Sequence, residues 1–199
     1  MTLRRAAWML VGLAALCLVL LTVWRPGAAS APSSTVKIGG PFQLTDQNGR
    51  GVDQGILKGK WSAVFFGYTY CPDVCPTTLQ TLATAQRELG PQARNFQVIF
   101  ITVDPARDTP SQLKAYLSSD SFPKGAIGLT GRGDQIAAIT RAYGVYFQKQ
   151  GTGPDYSVNH SSAIYVMSPN GAYDSVIGAG LTPDQTRQAI QRAMNGGSA

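Results

Sequence analysis

Residues 61–79 read WSAVFFGYTYCPDVCPTTL, and this stretch decides the fold class. From Trp61 to Tyr68 the run is apolar, as in a strand buried on both faces of a sheet. From Thr77 to Leu89 the period changes: Leu79, Leu82, Ala83 and Leu89 fall near one helical stripe, and Gly90-Pro91 is a stop signal. Between strand and helix lies a loop with two cysteines, each followed by proline. Proline disfavours helical backbone for the residue before it, so Cys71 and Cys75 are expected in a stiff turn, with Pro76 at the first helical position and Cys75 at the helix N-terminus.

The alternation continues downstream. Residues 96–103 read as a second central strand. Thr109-Pro110 opens a helix through Leu117, and residues 132–143 form another that ends at Gly144. Residues 145–150 and 162–167 are two more strands. Ser168-Pro169-Asn170-Gly171 is a turn into a short strand at 173–177, and Thr182-Pro183 starts the final helix with a cap and a proline. Upstream, residues 40–52 predict a hairpin turning at Asn48-Gly49. This order predicts an α/β domain over residues 40–195, a central sheet with helices on both sides. In such sheets sites gather where strands end and loops begin, which directs attention to the cysteine loop.

The first 31 residues differ in composition. Ala6 to Val23 carries no charge, at the short end of a membrane-spanning helix. Arg4 and Arg5 precede it, which places the N-terminus in the cytoplasm and the remaining chain on the far side. Trp8 and Trp24 bracket it. A cleaved secretory signal is the competing reading, since Ala28 and Ser30 offer a processing site; both readings export the domain. Residues 1–24 are thus expected to form an anchor. Residues 25–39, rich in Pro, Ala, Ser and Gly, form a flexible tether. Leu16 is too large for a lipoprotein cleavage before Cys17, which is left a packing or lipid-facing residue. The net charge of +6 owes half its excess to Arg4, Arg5 and Arg25. The domain has no dense basic run, which argues against nucleic-acid binding.

Three chemistries fit Cys71 and Cys75. A structural disulfide across so small a loop stabilises little. Thiol–disulfide exchange commonly uses two intervening residues, and here there are three. Two thiolates are also soft ligands suited to copper(I), and an added imidazole makes a site that accepts copper(II). Asp73 between them attracts a cation, although it disfavours a neighbouring thiolate. The one histidine, His160, lies just before the strand at 162–167, where a thioredoxin-like arrangement brings it beside the cysteine loop. Zinc is disfavoured because no fourth cysteine or histidine exists outside the apolar segment. Met167 and Met194 read as core residues and not as a copper-binding cluster. Asp104, at the end of the second central strand, is expected to tune the site or meet a partner. Asp108 or Thr109 is expected to cap the next helix. Tyr68, Tyr70 and Tyr156 are expected to line the site.

FFGYTYCPDVCPTTL, ITVDPARDTP, GLTG and DYSVNHSSAIYVMSPNG, in this order from Gly40 to Gln191, resemble the successive signatures of the Sco/SenC family of copper chaperones for cytochrome c oxidase assembly. The resemblance implies a thioredoxin-like fold with a central mixed sheet and copper held by Cys71, Cys75 and His160. It implies delivery to the binuclear copper site of oxidase subunit II, with other copper-delivery proteins as partners, and redox work by the Cys71–Cys75 pair. It also implies a single-pass anchor in the inner membrane, with the domain on the periplasmic side. An exported thiol–disulfide oxidoreductase, a thiol peroxidase and a copper or redox sensor remain alternatives.

Overall fold

In a computed structural model, the structure describes residues 38–196 together with Leu16. The expected anchor (1–24), apart from Leu16, and most of the tether (25–39) lie outside the described residues. Among the described residues no helix is long and apolar enough to cross a membrane.

Nine strands and four α-helices, with two short 3-10 helices, appear in the described domain. The strands and α-helices are β1 (Gln43–Asp46), β2 (Gly51–Asp53), β3 (Trp61–Gly67), α1 (Val74–Glu88), β4 (Phe96–Thr102) and α2 (Pro110–Leu117). There follow β5 (Ile127–Thr130), α3 (Gly133–Ala142), β6 (Phe147–Gln150), β7 (Ser157–His160), β8 (Ile164–Met167), β9 (Tyr173–Ile177) and α4 (Pro183–Met194). Seven strands form one mixed sheet in the order β2-β1-β5-β4-β3-β8-β9, and β6 and β7 pair separately. β3 and β4 run parallel from Trp61↔Phe96 to Gly67↔Thr102, and β8 lies antiparallel on the other side of β3. The expected central mixed sheet is therefore present, with β3 in its interior between β4 and β8. Ala63, Val64, Phe65 and Phe66 are all fully buried, because a central strand between two helical layers has no exposed face.

Successive strand side chains point to opposite faces. Phe65 packs with Phe100, which meets Tyr116 of α2; Phe66 meets Tyr143 at the end of α3 and Tyr165 of β8. The two aromatic clusters mark the two layers of core. Several expected boundaries agree closely. The β1–β2 turn places Gly49 at φ 79°, the left-handed region open to glycine at little cost. Thr109 caps α2 by accepting from Gln112 N, and Thr182 and Gln185 form a capping box on α4.

Four expectations need correction. α1 begins three residues before Thr77, so Cys75 is helical despite the following proline. Pro76 is harmless there because the first-turn N–H groups have no intrahelical partner to lose, and the fully buried Cys75 side chain holds the backbone in place. β5 had no expected strand: it is four residues long and contains Gly128. A Cβ at that position would lie 2.7 Å from Leu117 Cδ1, so the glycine permits close seating of α2. His160 is not in a loop but ends β7, opposite Phe147. Asp108 does not cap α2; its role belongs to the site.

Candidate metal centre

The cysteine loop is held between two regular elements. The Tyr68 carbonyl accepts from Cys71 N at 3.2 Å, and the Gly67 carbonyl accepts from Val103 N at 2.8 Å, tying the end of β3 to the end of β4. Asp108, fully buried, ties the loop from the side. It accepts from Thr69 N at 3.0 Å, from Thr69 Oγ1 at 2.7 Å and from Thr102 Oγ1 at 2.6 Å. Burial raises its pKa, opposed by the threonine hydrogen bonds. Cys75 sits at the bottom of the site; Gly67 must lack a side chain because a Cβ would approach Cys75 Sγ to 2.8 Å.

His160 arrives from the other side. The Sγ of Cys75 lies 3.5 Å from His160 Nε2. His160 Nδ1 is 2.9 Å from the Ser161 carbonyl. A carbonyl only accepts, so this contact places the proton on Nδ1 and leaves the Nε2 lone pair facing the sulfurs. Tyr68 supports the imidazole edge-on, with ring centroids 5.9 Å apart. The donor atoms of Cys71, Cys75 and His160 all lie within 4.8 Å of one another. Bonds of about 2.0 Å to nitrogen and 2.3 Å to sulfur separate donors on one ion by about 3.5–4 Å, so a small contraction closes the set. The cysteines are not joined in a disulfide. Cys71 lines a cleft of about 300 Å³ with His160, Tyr68 and Asp73, and Cys75 is buried beneath it. A larger cleft of about 710 Å³ beside β1 and β2 contains no cysteine or histidine.

The sulfurs differ electrostatically. Cys71 is half-buried, and its pKa falls well below the thiol range because Cys75 donates a hydrogen bond to it. Burial opposes this, while the backbone N–H groups of Cys75 and Asp73 assist. Cys75 moves the opposite way, raised by its proton's bond to Cys71 and by burial. The two shifts run in opposite directions and favour the thiolate at the less buried Cys71. The helix N-terminus adds its positive end at both sulfurs. Two sulfurs and an imidazole suit a soft ion, with copper matching the set better than calcium or magnesium.

Of the other expected residues, Tyr68 lines the cleft. Tyr70 and Tyr156 instead converge on Arg107, whose guanidinium lies 4.7 Å and 3.6 Å from their ring centroids. Asp104 is buried and pairs with Arg107 Nε at 2.5 Å. Its other oxygen accepts from Tyr156 OH at 2.5 Å; it has no hydrogen bond to any of the three donors. Arg107 itself was not singled out in the sequence. The available signal was the Asp104–Arg107 spacing, which brings opposite charges together on one turn.

The family model described as SCO1/SenC matches residues 30–195. Protein SCO2, mitochondrial, of Saccharomyces cerevisiae is 40% identical over 163 residues, covering 80% of this chain and 54% of that protein. The chain thus matches only about half the length of this relative. The structure of Bradyrhizobium japonicum ScoI with copper bound is 44% identical, with a TM-score of 0.71, covering 78% of this chain and 99% of that one. BsSco, described as a member of the Sco family of cytochrome c oxidase assembly proteins with a disulfide switch, is 25% identical at a TM-score of 0.62, covering 80% and 94%.

Proposed function

The chain belongs to the SCO1/SenC family, and we propose that it is a copper chaperone that carries one ion on Cys71, Cys75 and His160 and hands it to cytochrome c oxidase. The observation that carries this reading is the convergence of the three donors within 4.8 Å. The copper bound by the related ScoI supports it. Capture begins at the Cys71 thiolate. Cys75 then gives up its proton as it becomes a ligand, and the Nδ1-protonated ring of His160 supplies Nε2. The cleft leaves one side of the site open, so release proceeds by exchange with an acceptor's thiolates and imidazoles. The binuclear copper site of oxidase subunit II is that acceptor, and other copper-delivery proteins supply the ion. Residues 1–24 anchor the chain in the inner membrane and residues 25–39 let the domain reach its partner on the periplasmic side.

The thiolate–thiol asymmetry supports a second activity at the same atoms. The Cys71 thiolate attacks a partner disulfide, one partner sulfur leaves as thiolate, and Cys75 resolves the mixed disulfide. The partner gains two electrons, and Cys71–Cys75 becomes a disulfide that no longer binds copper. A test of both mixes the reduced, copper-loaded domain with an apo subunit II domain whose two cysteines are, in separate arms, reduced or joined in a disulfide. Delivery predicts copper on the acceptor with the donor cysteines still reduced. Oxidoreductase action alone predicts a donor disulfide and a copper-free acceptor.

A further inference from the structure

The hairpin that brings His160 to the site stands apart from the main sheet. Among the described residues β6 pairs with β7 and with no other strand, and a two-stranded ribbon is marginal on its own. Of the eight residues in β6 and β7, Val158 is the one that is buried. A few side-chain contacts must therefore set where the hairpin lies.

Tyr68 OH accepts from Val158 N at 3.3 Å, and His160 packs on Phe65 and Tyr68; the remaining contacts meet at Arg107. Its Nε pairs with Asp104, and its Nη1 donates to the Pro154 carbonyl, between β6 and β7, at 3.2 Å. Its flat face covers Tyr156 from the hairpin and reaches Tyr70 from the cysteine loop. Tyr156 OH closes the circuit by donating to Asp104. One planar cation thus touches all three segments around the site. A guanidinium can do this because its donors lie in a fixed fork while its faces stack on rings. The ion pair is largely out of water, with the Arg107 side chain 15% exposed and that of Asp104 5%.

We infer that Arg107 is a positioning residue that holds the hairpin, and with it His160 Nε2, over the cysteine loop. Its bearing on copper rests on the Cys-Cys-His reading above; its bearing on the hairpin does not. Without Arg107 the dithiol survives intact while the imidazole drifts, so the ion is held by sulfur alone and leaves sooner.

Amide hydrogen exchange on the reduced, metal-free protein tests this, comparing wild type with Arg107→Ala, Arg107→Lys and Tyr156→Phe. Arg107→Ala should speed exchange across residues 147–160 by about tenfold or more, with β3 and β4 unchanged. Arg107→Lys, which keeps charge but loses the fork, should recover part of the protection. In the copper(II) forms, Arg107→Ala should weaken the imidazole nitrogen hyperfine signal while retaining the thiolate charge-transfer band. Unchanged hairpin exchange in Arg107→Ala, or acceleration spread equally through β3 and β4, would overturn the inference. If Arg107→Ala does not fold, Tyr156→Phe decides by the same local exchange, since it removes one hydrogen bond and keeps the ring. A wild-type protein without imidazole coordination would refute the copper reading and leave the exchange result to judge Arg107.

Discussion

The two halves of the metal centre are built differently. Cys71 and Cys75 are local: four residues apart, Cys71 in the loop after β3 and Cys75 in the first turn of α1, gripped by the β3–β4 ladder and by Asp108. His160 lies 85 residues from Cys75, at the end of a ribbon outside the main sheet and fixed chiefly by side chains. The dithiol is therefore as stable as the core, whereas the imidazole sits on an element that can open without unfolding the domain. A carrier benefits from this division: two ligands keep the ion while the third yields to an acceptor.

Substitutions at the donors should separate the halves most strongly. Cys71→Ser or Cys75→Ser should abolish stable copper retention after dialysis, an effect beyond the 10–100-fold typical of outer partners of a metal site. His160→Ala should weaken affinity and speed release while leaving about one sulfur-bound copper(I) per chain. Equal losses in all three variants would erase the distinction between a rigid dithiol and a yielding imidazole.

Gly67→Ala tests how tightly the cysteine half is packed. Its Cβ would meet Cys75 Sγ and Phe100 Cε2, both at 2.8 Å. A loss of about 1–3 kcal/mol is expected for overpacking at a core site, read by denaturant unfolding, together with a displaced thiolate band. Gly151→Ala, in the hairpin, should leave the band unchanged, although its φ of 91° adds local strain.

Asp108 gives a smaller effect that depends on pH. Burial raises its folded-state pKa, so the native state binds its proton more readily than the unfolded chain. Its contribution is therefore fully present below the unfolded value of about 3.9 and is lost as pH rises through the raised folded value. Relative to Asp108→Asn, the wild type should gain stability on acidification through that interval, as measured by urea midpoints. A difference that does not vary with pH would show that Asp108 is not held in the way described.

The same division explains what the sequence revealed. The run at 61–68, the Asn48-Gly49 turn and the Thr-Pro starts of α2 and α4 are local signals, and each element formed where expected. The two cysteines were legible as a pair because loop and ligands are contiguous. β7 was missed because Ser157-Val158-Asn159-His160 has one apolar residue, and only pairing with β6 makes it a strand. β5 was missed because Gly128 weakens its pattern while serving the contact with α2. Asp108 looked like a cap because its spacing to α2 is visible in the chain, while its bonds to Thr69 and Thr102 arise only when β3 and β4 lie side by side. Arg107 escaped notice for a similar reason: two of its aromatic partners, Tyr70 and Tyr156, come from segments 37 residues upstream and 49 downstream.

X-ray absorption at the copper edge of the reduced, copper(I)-loaded protein tests the three-ligand centre most directly. Two sulfurs and one imidazole nitrogen in the wild type, with the nitrogen shell absent from His160→Ala and the sulfurs retained, are the predicted result. A wild-type spectrum with sulfur alone, identical to that of His160→Ala, would contradict it.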